Sequence, residues 1–191
     1  MKIHIAILIF LFTLASEMVA LGSNVCERSI PSSLRKAITD KYPAYRIATS
    51  ADQCSKDSKD DEEWNKLYCK KNHCQTVASG DFDGNKQKDF AIYIVKKDST
   101  VTLLIAALRH GAKWELAELQ QDNETIMGAY VDTGKPGLYE HTMSYDFQPN
   151  DPNEREKIVA KRTCIIAGRV ESSGVAYVFD KGKWLYVIFS D

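Results

Sequence analysis

Residues 80–91, Gly-Asp-Phe-Asp-Gly-Asn-Lys-Gln-Lys-Asp-Phe-Ala, carry oxygen-bearing groups at regular spacing and offer the clearest chemistry in the sequence. The candidate ligands are Asp81, Asp83, Asn85, Gln87 and Asp89. Four of them would offer a side-chain oxygen, and Gln87 would offer its backbone carbonyl. Alternate positions of a tightly wound loop point inward together, and Ca²⁺ binds about six to eight such oxygens. The spacing therefore predicts a calcium site.

The loop differs from an EF-hand, which needs a bidentate acid at its twelfth position, where this chain has Ile92. It resembles instead the D-x-D-x-D-G-x-x-D loop of FG-GAP repeats, which are integrin-like and are also called VCBS repeats. The residues on the family's ligand positions are Asp81, Asp83, Asn85 and Asp89. The resemblance covers about residues 79–95 and implies a calcium loop between two strands. A single copy does not imply a propeller. Residues 171–177 and the Trp-containing final strand also resemble small exported bacterial proteins with one such loop.

One position departs from the family pattern. The family has Gly at the sixth loop position, where the backbone turns sharply, and this chain has Lys86. A left-handed conformation costs a non-glycine residue about 1–2 kcal/mol, and Lys86 and Lys88 both bring positive charge towards a cation. The alternative interpretation is an acid-rich turn whose Asp and Asn side chains bond their own backbone. Both interpretations stay open, and a bound metal would serve rigidity rather than catalysis.

The N-terminus has the features of an export signal. Lys2 precedes an apolar run over residues 5–14, and small residues at Ala20 and Gly22 offer a cleavage site. A spanning helix needs about 20 apolar residues, and Glu17 interrupts this run first. We expect residues 1–22 to be a signal peptide and residues 23–191 to form one domain. The mature protein would then be secreted or periplasmic, with no membrane span.

Composition limits the classes of partner. The chain has 25 Lys and Arg against 26 Asp and Glu, a formal net charge of −1. Nucleic-acid binding needs a concentrated basic surface, so we expect no nucleic-acid partner. Hydrophobic residues make up 44% of the chain, which is enough for a core of its own.

The five cysteines indicate disulfides, which are the default in an exported protein. They are Cys26, Cys54, Cys69, Cys74 and Cys164. We predict the pairs Cys26–Cys54 and Cys69–Cys74, with Cys164 left as a buried and unreactive thiol; other pairings stay possible. A metal site at Cys69, His73 and Cys74 is the less favoured interpretation, because adjacent His and Cys share a tetrahedral ion poorly.

The surrounding pattern predicts an α+β fold. Pro31 suits the start of a helix that Pro43 ends, residues 50–61 form a polar loop, and a short helix follows near residues 64–68. After a first strand that ends at the loop, strand-like segments lie at residues 90–95, 101–108, 114–119, 126–131, 138–141, 158–167, 175–179 and 184–189. Turns at residues 97–100, 134–137 and 180–183 predict successive hairpins. We expect a mainly antiparallel sheet of about seven or eight strands, with one or two N-terminal helices.

No catalytic set stands out in the sequence. The residues considered for catalysis are His73, His110, His141, Cys164, Ser172 and Ser173. The segment around Ser172 lacks the first glycine of a G-x-S-x-G elbow, so we assign no catalytic or cofactor-binding residue. Strand aromatics are expected to be mostly core, with a minority forming a binding patch: Trp114, Tyr130, Tyr139, Tyr145, Tyr177, Trp184 and Tyr186.

These features favour a non-catalytic exported or periplasmic protein that binds a protein partner. An inhibitor or immunity protein against a cell-envelope enzyme is the specific form of this hypothesis. One alternative is an envelope hydrolase that uses His141 or His110 with nearby acids. A second alternative is a calcium-stabilised structural or adhesion module.

Overall fold

The computed structural model describes residues 25–54, 74–142, 146–170 and 172–190. The predicted signal peptide and the helix expected near residues 64–68 lie outside this part of the chain. The described elements are α1 Val25–Arg28, α2 Ser32–Lys41, β1 Tyr45–Ile47, a 3₁₀ turn at Ser50–Gln53, β2 Val77–Gly80, β3 Asp89–Lys96, β4 Thr102–His110, β5 Lys113–Asp122, β6 Ala129–Gly134, β7 Gly137–Glu140, β8 Lys157–Ala160, β9 Cys164–Arg169, β10 Ser173–Asp180 and β11 Lys183–Ser190.

The antiparallel α+β class is confirmed, and the strand count is higher than expected. Eleven strands lie within the described residues. The three-residue strand β1 is too short to produce a periodic pattern. The single strand expected over residues 158–167 is two strands, β8 and β9, because the polar residues 161–163 interrupt it.

Helix α2 forms where the sequence predicts it. Pro31 precedes its first residue, and the chain leaves the helix at Tyr42, just before Pro43. Leu34 and Ile38 lie on one face and are buried against β3 and β4. Each such aliphatic side chain contributes about 1.5–3 kcal/mol when it leaves water, so packing rather than intrinsic propensity holds this ten-residue helix.

The first sheet has the order β1-β3-β4-β5. Strand β2 also pairs with β3, so β1 and β2 lie end to end along the same edge: Ile47 is opposite Ile94 and Val77 is opposite Ile92. Every residue of β3 except Lys96 is buried, which confirms the prediction that both faces of this strand are covered.

The second sheet has the order β11-β10-β9-β6, and β7 and β8 form a separate two-stranded ribbon. The prediction of a hairpin between β6 and β7 is therefore wrong. Six consecutive residues of β6 pair with β9 instead, and β7 pairs with β8. The turn at residues 180–183 does join β10 and β11. Lys181 and Gly182 both have positive φ, the conformation that two-residue hairpin turns favour.

Three apolar clusters fill the spaces between the layers of the fold. The alternation along β3 places Tyr93 between the two sheets and Ile92 and Ile94 against α2. On the far side of the second sheet, β10 packs Ala176 and Val178 against the β7–β8 ribbon. The order of layers is therefore helix, first sheet, second sheet and ribbon.

The disulfide prediction is corrected by the structure. Cys26 pairs with Cys74, with their Cα atoms 5.0 Å apart, so the predicted pairs Cys26–Cys54 and Cys69–Cys74 are wrong. The fold brings α1 to the start of β2, where Thr76, two residues after Cys74, donates to the Cys26 sulfur at 3.2 Å. Cys54 is also disulfide-bonded. Within the part described, no helix is long and apolar enough to cross a membrane.

Candidate metal site

The acidic loop, residues 81–88, joins β2 to β3. The two strands pair up to Gly80 and Asp89, so the loop leaves and re-enters the sheet at one point. Phe82 is 1% exposed and anchors the loop in the core between the sheets. Asp81 and Asp83 flank this anchor in the chain.

Local hydrogen bonds wind the loop tightly. Asp81 accepts bonds from the Gly84 and Lys86 amides at 2.9 and 3.1 Å. Asp83 accepts from the Asn85 amide at 3.0 Å and from the Asn85 side-chain nitrogen at 2.9 Å. These are the side chain-to-backbone bonds of an acid-rich turn. The backbone turns at Lys86, whose φ of 65° is the left-handed conformation for which the family pattern has Gly.

Asp89 is fully buried and connects the loop to the next hairpin. Its two carboxylate oxygens each accept an amide bond at 2.8 Å, one from Phe82 and the other from Arg109. Burial raises the pKa of the Asp89 carboxyl above its ordinary range, although both amide donors act in the opposite direction. The environment therefore disfavours the bare anion at Asp89, and a positive ion would offset that cost.

Three carboxylates meet at this loop. Oxygens of Asp81, Asp83 and Asp89 all lie within 4.8 Å of one another, so the cluster can hold a metal ion. The amide bonds do not exhaust these groups, because an ionised carboxylate has about four lone-pair sites. The cluster of three carboxylates offers only oxygen ligands, which suits a hard cation.

The other two predicted ligands have different partners. Asn85 turns its side-chain nitrogen towards Asp83, and its side-chain oxygen accepts from the Gln87 amide at 2.7 Å. The Gln87 side chain accepts from the Gly111 amide at 2.9 Å. The structure therefore brings three of the five predicted residues together as carboxylates, and it uses the side chains of the other two to shape and dock the loop.

Basic groups contact the outside of the loop. Arg162 donates to the Asp83 carbonyl oxygen and packs on Gly84, where an added Cβ would lie 2.7 Å from its guanidinium nitrogen. The His110 ring lies 3.8 Å from the Asp83 carboxylate and 3.3 Å from Glu115. Arg162 was not predicted from the sequence, because no local sequence pattern indicates a contact between residues 79 positions apart.

The residues considered for catalysis are dispersed. His110 lies beside the acidic loop, and the His141 ring packs edge-on against Phe147. The contacts of the His110 ring are with the acids Asp83 and Glu115 rather than with a Ser hydroxyl or a Cys thiol. Cys164 is free and buried, as expected, and burial raises its pKa. His73 lies outside the described residues.

Most of the strand aromatics pack as expected. Tyr177 and Tyr186 are cross-strand partners, as are Phe179 and Trp184, and Trp114 packs on Phe90. These contacts make them core and sheet residues rather than an exposed patch.

No family model matches the chain, and no curated protein or solved structure matches it significantly.

Proposed function

We propose that the acidic loop is a structural Ca²⁺ site in a non-catalytic exported protein, secreted or periplasmic, that binds a protein partner. The observation that carries the calcium proposal is the meeting of Asp81, Asp83 and Asp89 within 4.8 Å on a loop docked from several sides. A cation there would offset the repulsion among three carboxylates, two of which have little contact with solvent.

Calcium suits this site better than the smaller magnesium ion. Ca²⁺ tolerates irregular oxygen geometry, whereas Mg²⁺ demands a near-ideal octahedron. The three carboxylates come from the loop itself, at Asp81 and Asp83, and from the first residue of β3, Asp89. The resemblance to FG-GAP loops supports the same ion.

The binding role follows from how the domain is built. Two stacked sheets, a disulfide between Cys26 and Cys74 and a second disulfide at Cys54 make a rigid scaffold. Rigid scaffolds bind proteins with little loss of conformational entropy. An inhibitor or immunity protein against a cell-envelope enzyme is the specific form of this proposal.

Calcium-dependent melting tests the loop. For a dissociation constant of about 10⁻⁴ M, 10 mM Ca²⁺ is about 100 times Kd and stabilises the fold by about 2.7 kcal/mol. This corresponds to a rise of roughly 5–10 °C in Tm for a domain of this size. Asp83→Asn should abolish the rise. Asp98 is an acid in the β3–β4 turn and has a φ of 59°. Asp98→Asn should retain the calcium-dependent rise in Tm. An unchanged Tm in the wild type would reject the calcium site.

Affinity capture tests the binding role. The mature domain, immobilised with and without calcium, should recover a specific envelope or secreted protein, and recovery should fall with Asp83→Asn if the ion orders the binding surface. The purified partner should then bind with 1:1 stoichiometry in solution. Failure to recover any protein in either condition would count against the binding proposal while leaving the calcium result intact.

A further inference from the structure

A polar cleft lies at the other end of the molecule from the acidic loop. Strand β5 begins at Lys113, in the hairpin on which the loop docks, and ends at Asp122, in the wall of the cleft. Ten residues of strand span about 30 Å. The cleft has a volume of about 460 Å³, within the range of small-ligand sites. It is therefore separate from the calcium loop.

The floor of the cleft includes the Tyr93 side chain. Tyr93 is 3% exposed and packs in the core between the sheets, yet it lines the cleft. Its hydroxyl makes no hydrogen bond to any group within the described ranges. The hydroxyl is therefore open to whatever occupies the cleft. A ligand oxygen or nitrogen there would give it a hydrogen-bond partner.

The charged groups of the cleft already have partners. Arg169 donates to the Met127 carbonyl at 2.8 Å and lies 3.6 Å from Glu124. Asp122 accepts from the side-chain amide of Gln120 at 3.1 and 2.9 Å. A charged ligand would have to compete with these internal interactions.

The remaining lining groups, among the residues that the structure describes, are neutral. Asn123, Ser172 and Ser173 line the cleft, and their side chains form no hydrogen bond with another residue that the structure describes. Carboxamides and hydroxyls both donate and accept. A ligand that complements these groups carries no net charge and has hydroxyl groups, which also both donate and accept hydrogen bonds.

We propose that this cleft binds a neutral saccharide, with the Tyr93 hydroxyl at its floor and Asn123 and the two serines on its walls. This inference does not depend on the calcium loop or on a protein partner. Sugar hydroxyls are donors and acceptors at once, which is what the uncommitted groups of the cleft require. The cleft volume of about 460 Å³ leaves room for more than a single small polar group.

Saturation-transfer NMR and calorimetry with three neutral sugars, maltotriose, cellotriose and chitotriose, test the proposal on the mature domain. At least one should bind the wild type. Tyr93→Phe removes only a hydroxyl that lacks a partner, so the variant should fold normally and bind about five-fold more weakly, the effect of one hydrogen bond. Asn123→Ala should weaken binding similarly.

Two controls make the result specific. Tyr45→Phe removes a hydroxyl from β1, outside the cleft, and should bind the sugar as the wild type does. Asp83→Asn should also leave sugar binding unchanged. Absence of binding by all three sugars, or equal binding by the wild type and both cleft variants, would overturn the proposal. Binding of glutamate or glycylglycine in place of every sugar would overturn it as well.

Discussion

Replacing Asp89 with Asn tests whether this carboxylate holds the acidic loop to the sheet without metal. Asp89 accepts the Phe82 and Arg109 amides through different oxygens, both at 2.8 Å; the Phe82 bond is buried and the Arg109 bond is partly buried. An Asn side chain keeps one acceptor and turns an NH₂ group towards the other amide. One donor is then unsatisfied, and where it is the buried Phe82 amide the cost is about 1–3 kcal/mol.

The matched comparison is Asp81→Asn. Asp81 also accepts two amides, from Gly84 and Lys86, but both of those residues are exposed. Water can replace a lost bond there, so we expect a cost below about 0.5 kcal/mol.

Urea unfolding in EDTA at pH 7 measures both variants. Asp89→Asn should lower the free energy of unfolding by about 1–3 kcal/mol, with an unchanged m-value. The reasoning fails if Asp89→Asn costs no more than Asp81→Asn, because burial of the accepted amides would then be irrelevant.

Three further perturbations have defined outcomes. Replacing both Cys26 and Cys74 by Ser removes the cross-link between residues 48 positions apart. This should lower the free energy of unfolding by about 4 kcal/mol, measured with urea. A loss under 1 kcal/mol would contradict this. Burial acts to raise the pKa of Asp52, but bonds from Arg46 and Thr49 outweigh burial and hold that pKa below its ordinary 3.8. The ionised Asp52 therefore stabilises the fold above about pH 4, and this contribution is lost as the pH falls further. Asp52→Asn should make the free energy of unfolding less dependent on pH in acid. An unchanged pH dependence would refute the assignment. Gly84→Ala should cost at least about 1 kcal/mol, because φ is +82° and the new Cβ would meet a guanidinium group; thermal melting with an unchanged Tm would contradict that contact.

Local patterns predicted much of the fold. The apolar run that became β3 indicated a strand covered on both faces, and the Asp-Lys-Gly-Lys turn at residues 180–183 indicated the last hairpin. The position of the acidic loop between two strands was predicted, as was the backbone turn at Lys86. These features depend on residues close together in the chain, where spacing carries the information.

Features that depend on distant residues were not predictable. The pairing of β6 with β9 and the disulfide between Cys26 and Cys74 both join segments far apart in the chain. Arg162 reaches the acidic loop from the turn between β8 and β9, and its local sequence is ordinary. The polar cleft likewise combines the end of β5 with the β9–β10 turn, so only the assembled sheets create it.

Isothermal titration of the EDTA-stripped mature domain with CaCl₂ tests the calcium proposal most directly. The proposed site predicts one ion per chain with a dissociation constant of about 10⁻⁴–10⁻³ M, typical of extracellular modules. Asp83→Asn should remove the binding heat, and Asp98→Asn should preserve it. A wild-type titration without saturable heat, or one that Asp83→Asn leaves unchanged, would contradict the assignment of calcium to Asp81, Asp83 and Asp89.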